Sequence, residues 1–388
     1  MKGRVKDSRG KAHNVAAGEL FDVAIVGAGP AGSATALRLA MHGKRVAMIE
    51  ESRFDVPRIG ESLAPAVQPL LVELGLWPAF LALQPLPSYG TRSHWGESTP
   101  RIHSHLMNPW GSGWHVDRLK FDFMLAQAAC RAGASPFFGA TLVYCRESSV
   151  GWTLELREQA NDQAEKRAIE LRSRVVIDAT GRAARLARRL GAKRFLLDHL
   201  VGIGTRFEDV DLSREGYVLV ETGRDGWWYS APIPNDSMIA MMITDGDLCR
   251  SLQLRSNSFW LASLKKTTAT HQRVATARRR SRPHVFCAYS QRLRRSERNR
   301  PWFAVGDAAL AVDPISGSGV VRALRSSRSA AETALALLQQ HSANPLEDYE
   351  AQNDLECSAY LEERSLYYGL EQRWRDCEFW SRRAVKAI

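Results

Sequence analysis

The chain has 388 residues, of which 45% are hydrophobic and 24% are charged. This balance is typical of a globular protein with a large core, and it excludes a disordered or fibrous chain. The excess of 53 basic over 42 acidic residues gives a net charge of +11, which attracts anionic ligands, acidic polypeptides, nucleic acid or membrane surfaces at long range.

Cysteine spacing and the N-terminal segment predict a cytoplasmic protein. The six cysteines are dispersed without a Cys-x-x-Cys pair, which favours a reducing compartment. Residues 1–20 lack the apolar centre of a signal peptide and are expected to form a flexible tail. No apolar stretch reaches the roughly 18 residues of a membrane span.

The first elements in chain order are predicted to be a strand, a tight turn, a helix and a second strand. An apolar run covers 21–26, helix-forming residues follow at 33–42, and a second buried strand covers 45–49. Gly-Ala-Gly-Pro-Ala-Gly at 27–32 lies between the first strand and the helix, and Glu50 ends the second strand. This arrangement is the dinucleotide-binding pattern.

Each glycine of this segment has a physical role. Gly27 permits the sharp turn out of the strand, Gly29 lets backbone amides approach a pyrophosphate, and Gly32 lets the helix pack closely on the strand. The helix N-terminus, with Ala31 in its first turn, then faces the phosphates. Glu50 can accept hydrogen bonds from both ribose hydroxyls, so we expect an adenosine cofactor without a 2′-phosphate.

The rest of the chain alternates helices with a crowded set of strands. Four strands within 199–244, separated by turn residues, predict an antiparallel sheet. The chain from Leu346 onward is predicted to be helical. Further helices are predicted at 65–76, 118–132, 258–270 and 319–340, and further strands at 140–145, 152–157, 175–177, 284–289 and 302–305.

The strand at 302–305 and the helix after it are too short to close a second sheet. They are therefore expected to complete one cofactor domain with the N-terminal unit, which makes the fold class α/β with an α+β insert. The predicted division is a Rossmann-like cofactor domain at 21–85, 105–190 and 285–340, a substrate domain at 86–104 and 191–284, and a C-terminal helical region at 341–388.

Two later segments carry a resemblance to a known family: Val-Ile-Asp-Ala-Thr-Gly at 176–181, and Gly306-Asp307 followed by Asp-Pro-Ile-Ser-Gly-Ser-Gly-Val at 313–320. With the glycine turn, they resemble FAD-dependent monooxygenases of the para-hydroxybenzoate hydroxylase type, on the tryptophan-halogenase-like branch. The resemblance implies that FAD is the cofactor, that Asp307 contacts its ribitol, and that a helix N-terminus faces the flavin pyrimidine edge. Free amides at such a helix start stabilise the negative charge of reduced flavin.

Further segments extend the resemblance over nearly the whole chain from residue 21. The stretch Arg-Ile-Gly-Glu-Ser at 58–62 matches the family's segment beside the isoalloxazine, Arg118 opens a helix whose arginine reaches the FAD phosphates or ribose, and residues 367–383 are similar to the closing helix of this branch. The cofactor contacts expected from the glycine turn and the resemblance together are Gly27, Gly29, Ala31, Gly32, Glu50, Arg58, Ser62, Arg118, Asp178, Asp307, Pro314, Gly317, Ser318, Gly319 and Val320.

Halogenation is disfavoured by a missing amine. Halogenases of this branch carry a lysine a few tens of residues after the Gly-Glu-Ser stretch, whereas this chain has no lysine between Lys44 and Lys120. The related Trp-x-Trp-x-Ile-Pro signature is also altered, with Tyr229 and Ala231 at two of its positions. Because a positioned amine must capture or steer hypohalous acid, its loss argues against this reaction.

Oxygen insertion is the expected reaction. The resemblance implies that reduced flavin and dioxygen form a C4a-hydroperoxide that attacks an electron-rich ring, so the protein supplies a dry pocket, correct aim and a proton donor. Ordinary core packing is the alternative for each aromatic residue. The catalytic candidates are His94, Trp227 and Tyr229. Further candidates for the pocket wall are Tyr89, Trp95, Trp228 and Met241.

The expected substrate is an indole or phenol, or a tryptophan residue in an acidic peptide or protein, because the branch includes flavoproteins that hydroxylate a peptidyl tryptophan during quinone cofactor maturation. The arginine runs at 278–282 and 292–300 are suited to guide such a substrate, with a solvated face as the alternative.

NAD(P)H is expected to reduce the flavin directly or through a partner reductase. No metal, nucleic-acid or membrane partner is expected. A halogenase without the usual lysine, an isoprenoid double-bond reductase and a non-enzymatic flavin-binding protein stay open as alternatives.

Overall fold

A computed structural model of the chain describes residues 19–97, 99–159, 166–213, 215–339 and 344–384. Nearly all of the tail predicted at 1–20 lies outside the described residues. Within them, no helix is both long enough and apolar enough to cross a bilayer.

The strands of the described residues form four sheets. In chain order they are β1 Leu20–Val26, β2 Val46–Glu50, β3 Ser62–Leu63, β4 Leu86–Ser88, β5 Gly90–His94, β6 Arg101–Ser104, β7 Gly113–His115, β8 Ser135–Phe138, β9 Ala140–Ser148, β10 Gly151–Gln159, β11 Lys166–Asp178, β12 Lys193–Leu196, β13 Leu200–Glu208, β14 Tyr217–Gly223, β15 Gly226–Ile233, β16 Ser237–Asp245, β17 Arg279–Arg280, β18 His284–Cys287, β19 Gln291–Arg294, β20 Trp302–Ala304 and β21 Leu310–Ala311.

The helices pack around these sheets. They are α1 Pro30–Met41, α2 Val67–Glu73, α3 Trp77–Leu81, α4 Arg118–Arg131, α5 Arg185–Arg189, α6 Gly246–Ser251, α7 Asn257–Leu264, α8 Ala269–Val274, α9 Gly319–Gln339, α10 Pro345–Gly369 and α11 Glu378–Ser381. Single 3₁₀ turns lie at Gly181–Ala183, Gly306–Ala308 and Pro314–Ser316.

A seven-stranded sheet carries the glycine turn. Its order is β8-β2-β1-β11-β10-β9, and β20 also pairs with β11, in parallel. Side chains alternate along a strand, so β1 contributes to the core on both faces of the sheet. Val23 and Ile25 pack on the face covered by α1, α4 and α9. Ala24 packs on the other face, in the cluster of Trp152 and Trp302. The late strand β20 thus joins the sheet of β1, while the exact domain boundaries stay a prediction.

An eight-stranded sheet forms the second layer, in the order β17-β13-β16-β15-β14-β5-β6, with β18 also on β13. Strands β13, β16, β15 and β14 pair antiparallel, which confirms the antiparallel pattern read from 199–244. A small sheet, β3-β7-β4, places Ser62 directly opposite His115. The architecture is therefore the mixed α/β fold that the sequence predicts.

Several helices begin or end at residues other than those predicted. α1 begins at Pro30, since proline is preorganised for a first helical turn. The helix predicted at 65–76 is the shorter α2, which ends at Glu73 because Gly75 adopts a left-handed φ of 68°, and α3 begins only at Trp77. The helix predicted at 258–270 is also two, and the Thr267 hydroxyl bonds the Leu264 carbonyl where α7 ends.

Candidate functional site

A cavity of about 700 Å³ lies where the carboxyl ends of β1, β2 and β11 meet one face of the antiparallel sheet. Gly27, Glu50 and Ala179 line it from the parallel strand ends, and Trp227 and Met241 line it from the opposite sheet. Ligands of open α/β sheets bind in the crevice outside these strand ends. The cavity is therefore the candidate active site.

The glycine turn combines tight packing with one open approach. Gly27 has a φ of +109°, and a Cβ there would lie 2.2 Å from the Ala179 carbonyl oxygen. A Cβ on Gly32 would lie 1.9 Å from the Gly27 carbonyl oxygen, whereas one on Gly29 would meet nothing within 4 Å. Gly27, Gly29 and Ala31 line the cavity, and Gly32 packs beneath it. The space beside Gly29 is where a phosphate can approach the backbone.

Glu50 lines the cavity and holds the glycine turn from the end of β2. Its Oε2 accepts a hydrogen bond from the Ala28 amide at 2.9 Å, and its Oε1 accepts from the Ser52 hydroxyl at 2.7 Å. Arg58 also lines the cavity and donates to Oε1 at 3.1 Å. The carboxylate is thus oriented at the edge where the adenosine ribose is expected.

Arg118 lines the cavity, but its guanidinium is engaged with protein partners. Its Nε donates to Asp122 Oδ1 at 3.0 Å, and its Nη1 donates to the carbonyls of Ile59 at 2.6 Å and Gly60 at 3.1 Å. Arg58 binds the other Asp122 oxygen at 2.9 Å. Arg118 therefore holds the backbone just before Ser62 against the cavity.

The start of α9 forms another wall. Pro314, Gly317, Ser318, Gly319 and Val320 all line the cavity, as does Asp307. This wall places the N-terminus of a 21-residue helix beside the ligand space, where its free amides favour negative charge.

Arg182 is a site residue that sequence reasoning missed. It lines the cavity, its Nε lies 3.4 Å from Asp307 Oδ2, and it donates to the carbonyls of Tyr289 and Val312. Its position directly after Gly181 is the one sequence feature that could have indicated this role. Its partners lie far away in the chain, so no local pattern shows the contacts.

Asp178 was expected to contact the cofactor, but it does not line the cavity. It is fully buried, and it accepts hydrogen bonds from the Thr180 amide at 2.8 Å and hydroxyl at 2.7 Å, and from the Ala187 amide at 2.7 Å. Burial raises its pKa, and these donors oppose the rise. Asp178 therefore stabilises the turn after β11 through hydrogen bonds within the protein.

Three of the predicted wall residues line the cavity, namely Trp227, Tyr229 and Met241, and Phe286 joins them. The other four do not. Trp228 points to the opposite face of β15 and packs against Trp260, because neighbouring strand residues face opposite sides. Tyr89 is 50% exposed, and Trp95 packs on Trp227 from behind. His94 is not brought together with Trp227 and Tyr229, which leaves its predicted catalytic role without support from the geometry.

A partly buried hydrogen-bond chain lies against this wall. The Tyr229 hydroxyl is 2.7 Å from Ser62 Oγ, which is 3.0 Å from His115 Nδ1. Burial, reinforced by Arg273 and His105, lowers the pKa of His115 to about 3, so the imidazole is neutral near pH 7. Its Nε2 is buried with no hydrogen-bond partner among the described residues.

Glu61 adds a second titratable group beside the chain. It lines the cavity, and burial raises its pKa while its own amide, Arg118 and the Gly60 amide oppose the rise. Burial likewise raises the pKa of Tyr229. Perturbed groups clustered in a cleft are typical of sites that move protons. The sequence did not predict that these groups lie together. The pairing of β3 with β7, which brings Ser62 beside His115, leaves no recognisable pattern in either segment.

The arginine runs do not line the cavity in the part of the chain that the structure describes. Arg292 is 4% exposed and pairs with Glu350 and Asp354 of α10, and Arg300 donates to the Ser148 carbonyl. These members of the second run hold the fold together, so substrate guidance by that run has no support here. Among the described residues, no cluster of three or more His, Cys, Asp or Glu side chains could hold a metal ion.

The residues of the cavity fit an FAD molecule. The open backbone at Gly29 suits a pyrophosphate, Glu50 suits a ribose, and the α9 N-terminus suits a ring that becomes negative on reduction. The aromatic wall then borders the flavin end.

Comparisons with known proteins agree with this fit. The FAD binding domain family matches residues 21–362. LodB of Marinomonas mediterranea, named as an FAD-dependent oxidoreductase, is 29% identical over 94% of this chain and 97% of its own. The 1H-pyrrole-2-carbonyl-(peptidyl-carrier protein) chlorinase of Pseudomonas fluorescens is 27% identical over 80% of this chain and 74% of its own.

Solved structures share the fold. The myxobacterial chondrochloren halogenase CndH superposes with a TM-score of 0.85 at 23% identity, over 95% of this chain and 87% of that chain. PqsL of Pseudomonas aeruginosa superposes with a TM-score of 0.72 at 20% identity, over 92% and 98%. The resemblance to the halogenase-like flavoproteins is thus confirmed, and the chain belongs to the FAD-binding domain family as an FAD-dependent oxidoreductase.

Proposed function

We propose that the protein is a monooxygenase that hydroxylates an electron-rich aromatic ring of the indole or phenol type. When bound and reduced, FAD activates dioxygen so that one oxygen atom enters a ring C–H bond and the other leaves as water, with two electrons supplied by NAD(P)H directly or through a reductase. The observation that carries the proposal is the Tyr229–Ser62–His115 chain, which ends at an apolar wall beside the flavin end of the cavity.

The substrate wall, formed by Trp227, Tyr229, Met241 and Phe286, supplies a dry, shaped space. Trp227, Met241 and Phe286 present aromatic and apolar surfaces to the cavity, which favour stacking with a flat ring and exclude water. Tyr229 is the one of these sheet residues with a hydroxyl, and that hydroxyl is held by Ser62 at 2.7 Å. A substrate hydroxyl or indole N–H at the wall would therefore meet a fixed hydrogen-bond partner.

The hydrogen-bond chain can hold or move a proton. Tyr229 and Ser62 each carry one proton and accept another, and the neutral His115 imidazole is joined to Ser62 through Nδ1. Glu61 is buried beside them, and burial raises its pKa, which makes its carboxyl easier to protonate than an exposed one. This set supplies the acid and base function that ring hydroxylation requires.

The lining of the cavity also bears on halogenation. Among the described residues that line it there are five arginines, Arg58, Arg118, Arg182, Arg185 and Arg189, and no lysine. Lys120 lies nearby in sequence but is exposed on α4. A lysine amine next to the substrate wall is thus missing from this part of the chain, which supports oxygen insertion over halogen transfer even though several relatives are named halogenases.

Rapid mixing of the reduced protein with dioxygen tests the proposal. Indole, phenol and an acidic peptide containing tryptophan are the probes, with chloride present in one arm. We expect an aromatic probe to change the rate of flavin reoxidation and to gain one oxygen atom by mass. A chlorinated product would replace the proposal by halogenation, and anaerobic saturation of a prenyl probe would replace it by double-bond reduction.

The peptide arm separates two substrate classes. The net charge of +11 supports an acidic polypeptide as partner, whereas the apolar wall alone suits a free aromatic molecule. Oxygenation of the peptide, and its loss when the acidic residues are replaced by serine, would identify the polypeptide class. Oxygenation of free indole or phenol alone would identify the small-molecule class.

A further inference from the structure

One face of α10 anchors the loop that precedes α9. Tyr360, Arg364 and Tyr368 are spaced four residues apart, so they share a face of the helix. The Asp313 amide donates to the Tyr360 hydroxyl at 3.1 Å, the Tyr368 hydroxyl donates to Asp313 Oδ2 at 2.8 Å, and Arg364 Nε lies 3.7 Å from the same oxygen. Asp313 itself is fully buried, so this face is the setting that a buried carboxylate requires.

Asp313 in turn shapes the cavity wall. Its Oδ1 accepts from the Ile315 amide at 3.0 Å and caps the 3₁₀ turn Pro314–Ser316. The next residues, Gly317 to Val320, line the cavity and lead into α9, which begins at Gly319. The position of the helix N-terminus therefore depends on a carboxylate whose second oxygen is held from α10.

Tyr368 also reaches the substrate wall. The Trp227 Nε1 donates to the Tyr368 hydroxyl at 3.1 Å, and both side chains are buried, with exposed fractions of 1% and 4%. An indole N–H is only a donor, and an ionised carboxylate is only an acceptor, so the chain runs in one direction from Trp227 through Tyr368 to Asp313. Among these contacts, Tyr368 is the link between the wall and the α9 loop.

We infer that Tyr368 is a positioning residue that couples Trp227 of the substrate wall to the Asp313-capped loop at the flavin end of the cavity. A ring that presses on Trp227 then shifts the same hydrogen-bond chain that sets the α9 N-terminus. The inference rests on the proposed function only in treating Trp227 as part of the substrate wall.

Two variants of α10 test the anchoring without any substrate. Tyr368→Phe removes the central hydroxyl and keeps the ring. Tyr349→Phe is the matched control, because Tyr349 is buried on the same helix and its hydroxyl donates to the Ala304 carbonyl at 2.9 Å, away from Asp313 and Trp227. Tyr368→Phe removes two buried hydrogen bonds, one to Asp313 and one from Trp227, and Tyr349→Phe removes one. A merely structural role would lower the stability of both variants without separating them in FAD affinity or flavin potential.

We expect Tyr368→Phe to weaken FAD binding about tenfold and to make the midpoint potential of the bound flavin more negative. If the affinity for reduced flavin falls tenfold more than the affinity for oxidised flavin, the midpoint potential of this two-electron couple becomes about 30 mV more negative. Tyr349→Phe should leave the dissociation constant within about twofold and the potential unchanged. Equal FAD affinity and potential in the two variants would overturn the inference. If Tyr368→Phe does not fold, Tyr360→Phe takes its place, with at least a threefold loss of FAD affinity expected.

A double-mutant cycle measures the coupling to the wall. Trp227→Phe removes the indole donor, and its effect on the flavin potential should shrink at least threefold in the Tyr368→Phe background. Additive effects of the two substitutions would show that the wall and the loop are independent, which would overturn the coupling. None of these measurements needs turnover. If the protein oxygenates none of the probes, the proposed function is refuted, but FAD affinity and flavin potential still decide whether Tyr368 couples the wall to the loop.

Discussion

The two ends of the cavity are built by different means. At the nucleotide end, backbone packing sets the shape: Gly27 and Gly32 have no room for a Cβ. At the substrate end, side-chain hydrogen bonds set the shape: the partly buried Tyr229–Ser62–His115 chain joins three separate strands. A local backbone motif tolerates almost no substitution, whereas a side-chain network can be changed without losing the fold.

The largest expected effect is at the nucleotide end. Gly32→Ala places a Cβ 1.9 Å from the Gly27 carbonyl oxygen, and rigid backbone cannot move aside, so we expect a loss of about 3 kcal/mol in the free energy of unfolding. Gly29→Ala is the control, since a Cβ there meets nothing within 4 Å. It should keep the stability of the FAD-free protein and weaken FAD binding. Chemical denaturation and flavin titration measure both effects, and equal stabilities would contradict the assignment of roles to the two glycines.

The next effect is on the rate of oxygenation. Tyr229→Phe removes the hydroxyl at the wall, so we expect an aromatic probe to be oxygenated about 100-fold more slowly, the size of a lost acid–base contribution. Ser62→Ala breaks the chain at its next link and should slow the reaction in the same way. The flavin absorption spectrum should be retained in both variants. A wild-type rate in either variant would remove the chain from the mechanism.

Glu371 tests whether the contacts just after α10, unlike those of Tyr368, stabilise the antiparallel sheet without affecting FAD binding. This buried carboxylate accepts from the Gly96 amide at 2.9 Å, Thr222 Oγ1 at 2.7 Å and Arg373 Nη2 at 2.7 Å. Glu371→Gln puts an amide among these donors, so we expect a loss of about 2 kcal/mol in unfolding free energy with FAD affinity within about twofold. Glu97→Gln is the control, because Glu97 pairs with Arg101 on the surface, and its effect should stay below about 0.5 kcal/mol. A matching loss of FAD affinity in Glu371→Gln would show that these contacts also contribute to FAD binding.

The smallest effect is in the pH dependence of stability. The pKa of His115 is about 3 in the folded protein and about 6.5 when unfolded, so between these values the unfolded chain binds more protons. Stability must then fall as the pH is lowered from 6.5 toward 3. We expect a loss of roughly 1.5 kcal/mol between pH 6.5 and pH 5 from this residue, measured by chemical denaturation at each pH.

His115→Gln should flatten this part of the pH profile, whereas His103→Gln, on the exposed strand β6, should leave it unchanged. A profile that keeps its slope in His115→Gln would show that other groups cause it.

The sequence by itself was enough to predict the nucleotide end. The strand, glycine turn, helix and Glu50 lie within thirty-odd residues of each other, and the physical demands of tight turns and phosphate approach act on neighbours in the chain. Only the tertiary structure decided the substrate end. Strand pairing brings Ser62 beside His115, the alternation of β15 turns Trp227 to the cavity and Trp228 away from it, and a helix near the C-terminus holds Asp313. Such contacts join residues far apart in sequence, and burial then sets their pKa values, so no local pattern contains them.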